Sequence, residues 1–263
     1  MRADIGALRE KVWEYYREHG RDLDWRHEPT PYQVVVSELM LQQNQVARLA
    51  ERYPRWLKRF SSFEILADAS VADVLAEWQG MGYNRRALYL HRIAQTIVRD
   101  YEGNLPLDPL ELVKLPGIGP NTAGSIAAFA YDSPVVFIET NIRRVFIHEF
   151  FQDSIEISDK TLLPLSEQAL ATERPREWYY ALMDYGSYLA KTGPNPNRRR
   201  KHHVVQSKFE GSKRQVRGEI LRQLLVGPKK GFEIDDTRLN DVLLALEAEG
   251  FIVVTDQVYS LAK

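Results

Sequence analysis

The chain has 263 residues, 44% of them hydrophobic and 27% charged, with a formal net charge of −1 and no cysteine. That balance fits one large folded domain, or a domain with a small module. It excludes disulfides, thiol nucleophiles and cysteine-held iron–sulfur or zinc centres, and any contact with nucleic acid has to come from local patches rather than bulk charge.

Met1 to Lys11 is mixed and charged, without the apolar core of a secretory leader. No apolar run approaches the roughly 20 residues that span a bilayer. A soluble, cytoplasmic protein without membrane contact is therefore expected. Residues 4–18 read as an amphipathic helix ending near His19-Gly20, followed by a polar loop containing Asp24-Trp25-Arg26. Thr30-Pro31-Tyr32-Gln33 reads as a helix start: Thr30 caps, Pro31 suits the first position and Gln33 completes a capping box. The helix from Pro31 to about Asn44 is apolar on every side through its middle, which predicts burial.

Further helices are predicted at 46–59, 63–67, 71–77, 84–101 and 109–114, the last capped by Asp108. Leu115-Pro116-Gly117-Ile118-Gly119-Pro120 follows, then a helix from Pro120 to about Tyr131. Helices at 140–150, 159–173 and 175–190 complete an all-α stretch. Residues 192–201 are rich in Pro, Asn and Arg and read as a linker. Two helices, 212–226 and 236–249, and a hairpin over 251–261 then suggest a small winged-helix-like module.

Two features carry chemistry. The glycines of Leu115–Pro120 let two backbones approach closely, and the helix start at Pro120 exposes peptide N–H groups that bind a phosphate oxygen. This reads as a helix-hairpin-helix, a sequence-independent clamp on the DNA backbone. Glu38 lies between Val34, Val35, Leu39 and Leu41. Desolvation raises the pKa of such an acid, and a carboxylic acid kept protonated near neutral pH can donate to a leaving group. A buried structural ion pair is the alternative reading of the same residue.

Around these features, Ser37-Glu38-Leu39-Met40-Leu41-Gln42-Gln43-Asn44-Gln45-Val46 resembles the signature of the MutY adenine DNA glycosylases, within the helix-hairpin-helix (HhH-GPD) superfamily. Asp24-Trp25-Arg26, Gly80-Met81-Gly82-Tyr83-Asn84-Arg85-Arg86-Ala87, Leu115 to Gly124, Glu139-Thr140-Asn141-Ile142-Arg143-Arg144-Val145 and Ala181 to Gly186 match in order. The resemblance implies a mainly α, two-lobed helix-hairpin-helix glycosylase fold, with a glycosylase domain over 1–191; the basic linker, taken over 192–207, and the winged-helix-like module, over 208–263, come from the residue pattern, and the C-terminal region departs from the family. It implies a base-excision-repair enzyme that flips adenine, mispaired with 8-oxoguanine or guanine, out of duplex DNA and removes it.

Carried over position by position, Glu38 is the general acid, Glu139 the carboxylate that stabilises the sugar cation, and Asn141 a support of the reaction centre. Trp25, Arg26, Asn121 and Asp184 line the base pocket. Gln42, Gln43 and Tyr83 enter the duplex, while Leu115, Gly117, Gly119, Asn121 and Thr122 hold the backbone. No cofactor and no iron–sulfur cluster is expected; the hairpin of relatives holds a monovalent cation through its carbonyls, and the sequence leaves open whether this one does.

The sequence departs from the family in four ways. Glu139 stands where an aspartate is usual, and Thr140 where a glycine is common. Asn121 occupies the place of the Schiff-base lysine of bifunctional relatives, so a monofunctional enzyme without lyase activity is expected. The iron–sulfur cysteines are missing. In their place residues 198–217 hold eight Lys or Arg against one acid, a local charge of +7, and Arg198, Arg199 and Arg200 are expected to meet phosphates. The adjacent pair His202-His203 lacks further ligands, so no metal is expected. A monomer acting on double-stranded DNA with a mispaired or damaged base is the leading reading. A thymine/uracil mismatch glycosylase and a catalytically weak damage-binding protein are the alternatives.

Overall fold

The computed structural model describes residues 4–201 and 208–262, so His202 and His203 lie outside the described residues. The chain forms two compact units. The first comprises 1–38, 106–114 and 118–205, and the second 39–105, 115–117 and 206–263.

In the first unit, α1 (Ile5–His19) starts on Asp4, whose carboxylate accepts the Ala7 N–H at 2.9 Å. A 3-10 turn over Asp24–Arg26 buries Trp25. The predicted capping box opens α2 (Pro31–Leu41). Thr30 N–H donates to Gln33 Oε1 at 2.8 Å and Gln33 N–H to Thr30 Oγ1 at 3.3 Å. Tyr32, Val34, Val35 and Val36 are all buried, as an apolar helix requires. α7 (Pro109–Leu112) and α8 (Pro120–Tyr131) flank the hairpin turn, with Asp108 capping α7. α9 (Thr140–Phe150), α10 (Asp159–Ala169) and α11 (Pro175–Thr192) complete the unit, α9 packing on both α10 and α11. α10 stops at Ala169, short of the predicted 173. Arg9 of α1 donates to the carbonyls of Gln168, Ala169 and Leu170 at 2.8 to 3.0 Å, closing the helix there.

The second unit holds α3 (Val46–Arg59), α4 (Phe63–Ala67), α5 (Val71–Glu77) and α6 (Arg85–Asp100). Ser62 and Ser70 cap α4 and α5. Leu49, Tyr53 and Trp56 turn one face of α3 inward, where Trp56 meets Trp78 edge-on at 5.5 Å. The C-terminal segment belongs to this unit: α12 (Lys213–Val226), α13 (Leu239–Ala248) and the antiparallel pair β1 (Ile252–Thr255) and β2 (Val258–Leu261). Among the described residues these are the only two strands, and the mainly α fold is as read from the sequence. α13 starts at Leu239, not 236, because Asp236 folds back onto the Arg238 N–H and guanidinium and makes a turn there. No helix of the described residues is long and apolar enough to cross a membrane.

Candidate active site

Glu38, Glu139, Asn141, Trp25, Arg26, Asn121, Thr122 and Asp184 all fall in the first unit. α2 brings Glu38 in among buried aliphatic residues, and burial pushes its carboxyl up to about 7. The side chain of Ser125, on α8, hydrogen-bonds to Glu38 and opposes that shift. Ser125 has one hydroxyl hydrogen, and it donates to Thr122 O at 3.0 Å.

Glu139 caps α9. Its Oε1 accepts the N–H groups of Asn141 at 2.6 Å and Ile142 at 2.9 Å. Aspartate is the usual acidic cap at such a position. Here the longer side chain folds back on its own helix start, which absorbs the extra methylene. Burial raises the Glu139 carboxyl, while these two N–H groups and the guanidiniums of Arg143 and Arg144 pull it back. The charge of Glu139 in turn helps to raise Glu38. Both carboxyls are thus raised by burial, and Glu38 keeps a proton near neutrality.

Asn141 links this cap to α11. Its Oδ1 accepts from Arg144 at 2.7 Å, and the same guanidinium donates to Gly186 O at 2.6 Å. A Cβ on Gly186 would lie 2.5 Å from the Asn141 carbonyl oxygen, so only glycine allows α9 and α11 this close. Arg144 also donates to Asn195 Oδ1 at 3.1 Å, and Asn197 Nδ2 to Thr140 O at 2.9 Å.

Asp184, 2% exposed, does not present a free carboxylate to a pocket. It accepts from Arg26 at 2.8 and 2.9 Å and from Arg21 Nε at 2.7 Å. Burial would raise it, but these cations outweigh burial and hold it below the usual carboxylate range. Arg26 lies 4.4 Å over the ring of Tyr180, which stacks on Phe129. Burial raises the Tyr180 hydroxyl to about 12, and the charge of Glu38 adds to that shift. Arg26, Tyr180 and Glu38 are thus electrostatic neighbours, with Asp184 acting through Arg26. Asn121, at the start of α8, accepts the Ile138 N–H at 3.3 Å and is otherwise exposed.

Ser125, Tyr180, Arg21 and Arg144 were not foreseen. Ser125 carried a signal, as the lone hydroxyl in the buried run Ala123–Phe129. Arg21 and Arg144 look like ordinary surface cations until the fold pairs them.

The phosphate role read for Arg198, Arg199 and Arg200 meets a different placement. Pro196–Arg199 forms a 3-10 turn packed on α9. Arg199 donates to the carbonyls of Phe151, at 2.7 Å, and Gln152. Arg200 is half-buried, and Arg198 alone of the three is exposed. This stretch anchors Arg144 through Asn195, which a loose linker would not do. An iron–sulfur cluster does not fit the chain: no cysteine exists to hold one, and among the described residues no cluster of His, Cys, Asp or Glu suits a metal ion.

In the hairpin, Gly117 has φ +75°, and a Cβ there would collide with the ring of Tyr89. Leu115 is buried beneath the turn. Gly119 caps α8 with open space beside its Cα.

The second unit holds Gln42, Gln43 and Tyr83. Gln43 (φ +59°) and Tyr83 (φ +49°) are both left-handed, a conformation that costs a non-glycine residue of order 1–3 kcal/mol. Arg86 holds the two loops. Its guanidinium donates to the carbonyls of Leu39 at 2.9 Å and Met40 at 3.2 Å, to Gln42 O, and to Gly82 O at 3.2 Å. The Tyr83 ring, 37% exposed, has Arg86 at 5.1 Å and Arg214 of α12 at 5.7 Å.

Comparison with known proteins identifies the family. Residues 36–167 match the model of the HhH-GPD superfamily base excision DNA repair protein. An adenine DNA glycosylase of Mycobacterium tuberculosis is 47% identical over 133 residues, covering 50% of this chain and 43% of that protein. The adenine DNA glycosylase of Mus musculus is 32% identical over 231 residues, covering 83% of this chain and 44% of that protein. The chain thus spans about half the length of the curated relatives it matches. In fold it resembles a thermostable thymine-DNA glycosylase (TM-score 0.62, 20% identity, 70% of this chain and 86% of that one). It also resembles a non-covalent endonuclease III–DNA complex (TM-score 0.60, 17% identity, 70% of this chain and 86% of that one). With the hairpin, a half-buried acid on an apolar helix and its carboxylate neighbour on a mainly α frame, the chain belongs to the HhH-GPD superfamily of base excision DNA repair proteins.

Proposed function

We propose that this chain is a monofunctional DNA N-glycosylase that releases adenine mispaired with 8-oxoguanine or guanine and leaves an abasic site. The observation that carries the reading is a pair of carboxyls: Glu38, raised to about 7 on a buried helix, beside Glu139 anchored at the start of α9. The similarity to adenine DNA glycosylases over half or more of the chain supports the choice of base.

In this reading Glu38 donates its proton to a purine ring nitrogen, and the glycosidic electron pair leaves with the base. The sugar cation that remains is stabilised by the Glu139 carboxylate, held in place by the Asn141 and Ile142 N–H groups. Water adds to the sugar carbon and its proton returns to Glu38. Asn121 replaces an amine at the start of α8, so no Schiff base forms there and the strand stays intact. Gln42, Gln43 and Tyr83 fill the gap left in the duplex, and the N–H groups of Gly119, Asn121 and Thr122 meet a backbone phosphate.

Single-turnover base release tests this, from duplexes with A opposite 8-oxoguanine, A·G, T·G and U·G. Adenine release with strand breaks only after alkali is expected. Release of thymine or uracil would move the chain to a mismatch branch, and binding without release would make it a damage-binding protein.

A further inference from the structure

The buried run of α8, Ala123 to Phe129, carries no polar side chain except Ser125, which is 4% exposed. Its hydroxyl has one hydrogen and stands between two acceptors. One is Thr122 O, at 3.0 Å on the same helix. The other is the carboxyl of Glu38 on α2, to which the Ser125 side chain hydrogen-bonds. One hydrogen serves one of them well at a time. Thr122 O lies inside α8, where the helix ladder already supplies an N–H, so it loses little when the hydroxyl turns away. An ionised Glu38, on a helix with buried Val34, Val35 and Leu39, has more to gain from the same hydrogen. Three other groups face this carboxyl. Arg26 of the 3-10 turn favours its charge, Glu139 at the start of α9 opposes it, and Tyr180 of α11 brings a hydroxyl. Arg26 is already bound to Asp184 at 2.8 and 2.9 Å.

We propose that Ser125 is a positioning residue for Glu38: its hydroxyl bonds to Thr122 O while the acid holds its proton, and turns to the carboxylate once that proton has passed to the base. The O–H bond of Glu38 breaks and an N–H bond forms on the base. Ser125 exchanges no proton and changes only its hydrogen-bond partner. The bond it gains has a charged acceptor and exists only after transfer, so it favours the product of the proton transfer over the reactant. It also holds the carboxylate in one orientation for the proton that returns from water. The proposal rests on the glycosylase reading for Glu38 as the proton donor, and adds the residue that meets the charge left behind.

The test compares Ser125→Ala and Ser125→Thr with the wild type in two measurements. The first is a carbon-13 NMR titration of the Glu38 carboxyl in the free protein, its signal assigned by its loss in Glu38→Gln. The second is single-turnover base release from an A·G duplex as a function of pH. A donor to the charged form lowers a carboxyl, so its removal raises one. Ser125→Ala is expected to move the Glu38 titration up by about one pH unit. The alkaline limb of base release should move up with it, while the rate below that limb falls about tenfold. Ser125→Thr, which keeps the hydroxyl, is expected to restore both, a result that lost packing alone would not give. An unchanged titration in Ser125→Ala would overturn the proposal, as would a shift that the threonine variant keeps or that the release limb does not follow. If the titration moves as expected but the wild type releases no base from any duplex, the glycosylase reading fails and the hold of Ser125 on Glu38 stands.

Discussion

Glu38 illustrates how one position serves two opposed requirements. Its folded pKa of about 7 lies above the ordinary 4.5, so the fold favours the protonated form. The associated stability is complete below about pH 4.5 and is lost as pH rises through 7. A shift of that size corresponds to up to about 3 kcal/mol. Glu38→Gln should therefore remove base release while leaving a chain that is increasingly more stable than wild type as pH rises from about 5 to 8. Urea unfolding of both proteins across that range measures the gap. A Gln variant that tracks the wild type at every pH would mean the acid is not destabilised by burial. With Glu38 as the proposed proton donor, base release in the wild type should fall on the alkaline side of pH 7 as its carboxyl ionises. Glu139 shows the converse: its extra methylene is accommodated because a helix start offers N–H groups to any carboxylate that can reach them.

Among the elements, α2 does the most. It carries Glu38 in the first unit, and its end, with Gln42 beyond it, lies in the second. Arg86 fixes that end, and its buried guanidinium is pushed down to about 10 by the same desolvation that raises Glu38. Its fork reaches carbonyls on two loops, which a lysine ammonium cannot reproduce. Arg86→Lys should lower stability by roughly 1–3 kcal/mol, and it should slow base release through the loops carrying Gln43 and Tyr83. Denaturant unfolding combined with single-turnover release measures both effects; a variant unchanged in both would remove Arg86 from that role. α9 and α11 meet through Gly186 by the same logic of close approach.

For the molecule as a whole, the unexpected feature is where the C-terminal segment belongs. The sequence reads as a domain, a linker and a module. The fold instead groups 206–263 with 39–105, and docks Pro196–Arg199 on α9. The Arg-rich turn organises Arg144 and through it Asn141, so it holds the site from behind. Because the chain has no thiolate, the purified protein should contain no stoichiometric iron and show no visible iron–sulfur absorption. A brown, iron-bearing preparation would contradict that.

Most helix limits were legible because they rest on local chemistry: Asp4, Ser62, Ser70, Asp108 and the Thr30/Gln33 box are caps that act within one turn. Glu38 stood out for the same kind of reason, a charge inside an apolar helix. What consecutive positions do not state is non-local. Arg9 ends α10 from about 160 residues away in sequence. Asp184 is occupied by Arg21 and Arg26, and Arg214 reaches Tyr83 across 131 residues. Hydrophobic period and capping residues are written into consecutive positions, so the chain alone states them. Which cation meets which acid, and which loop an arginine fastens, depends on how distant segments pack, and only the folded arrangement decides it.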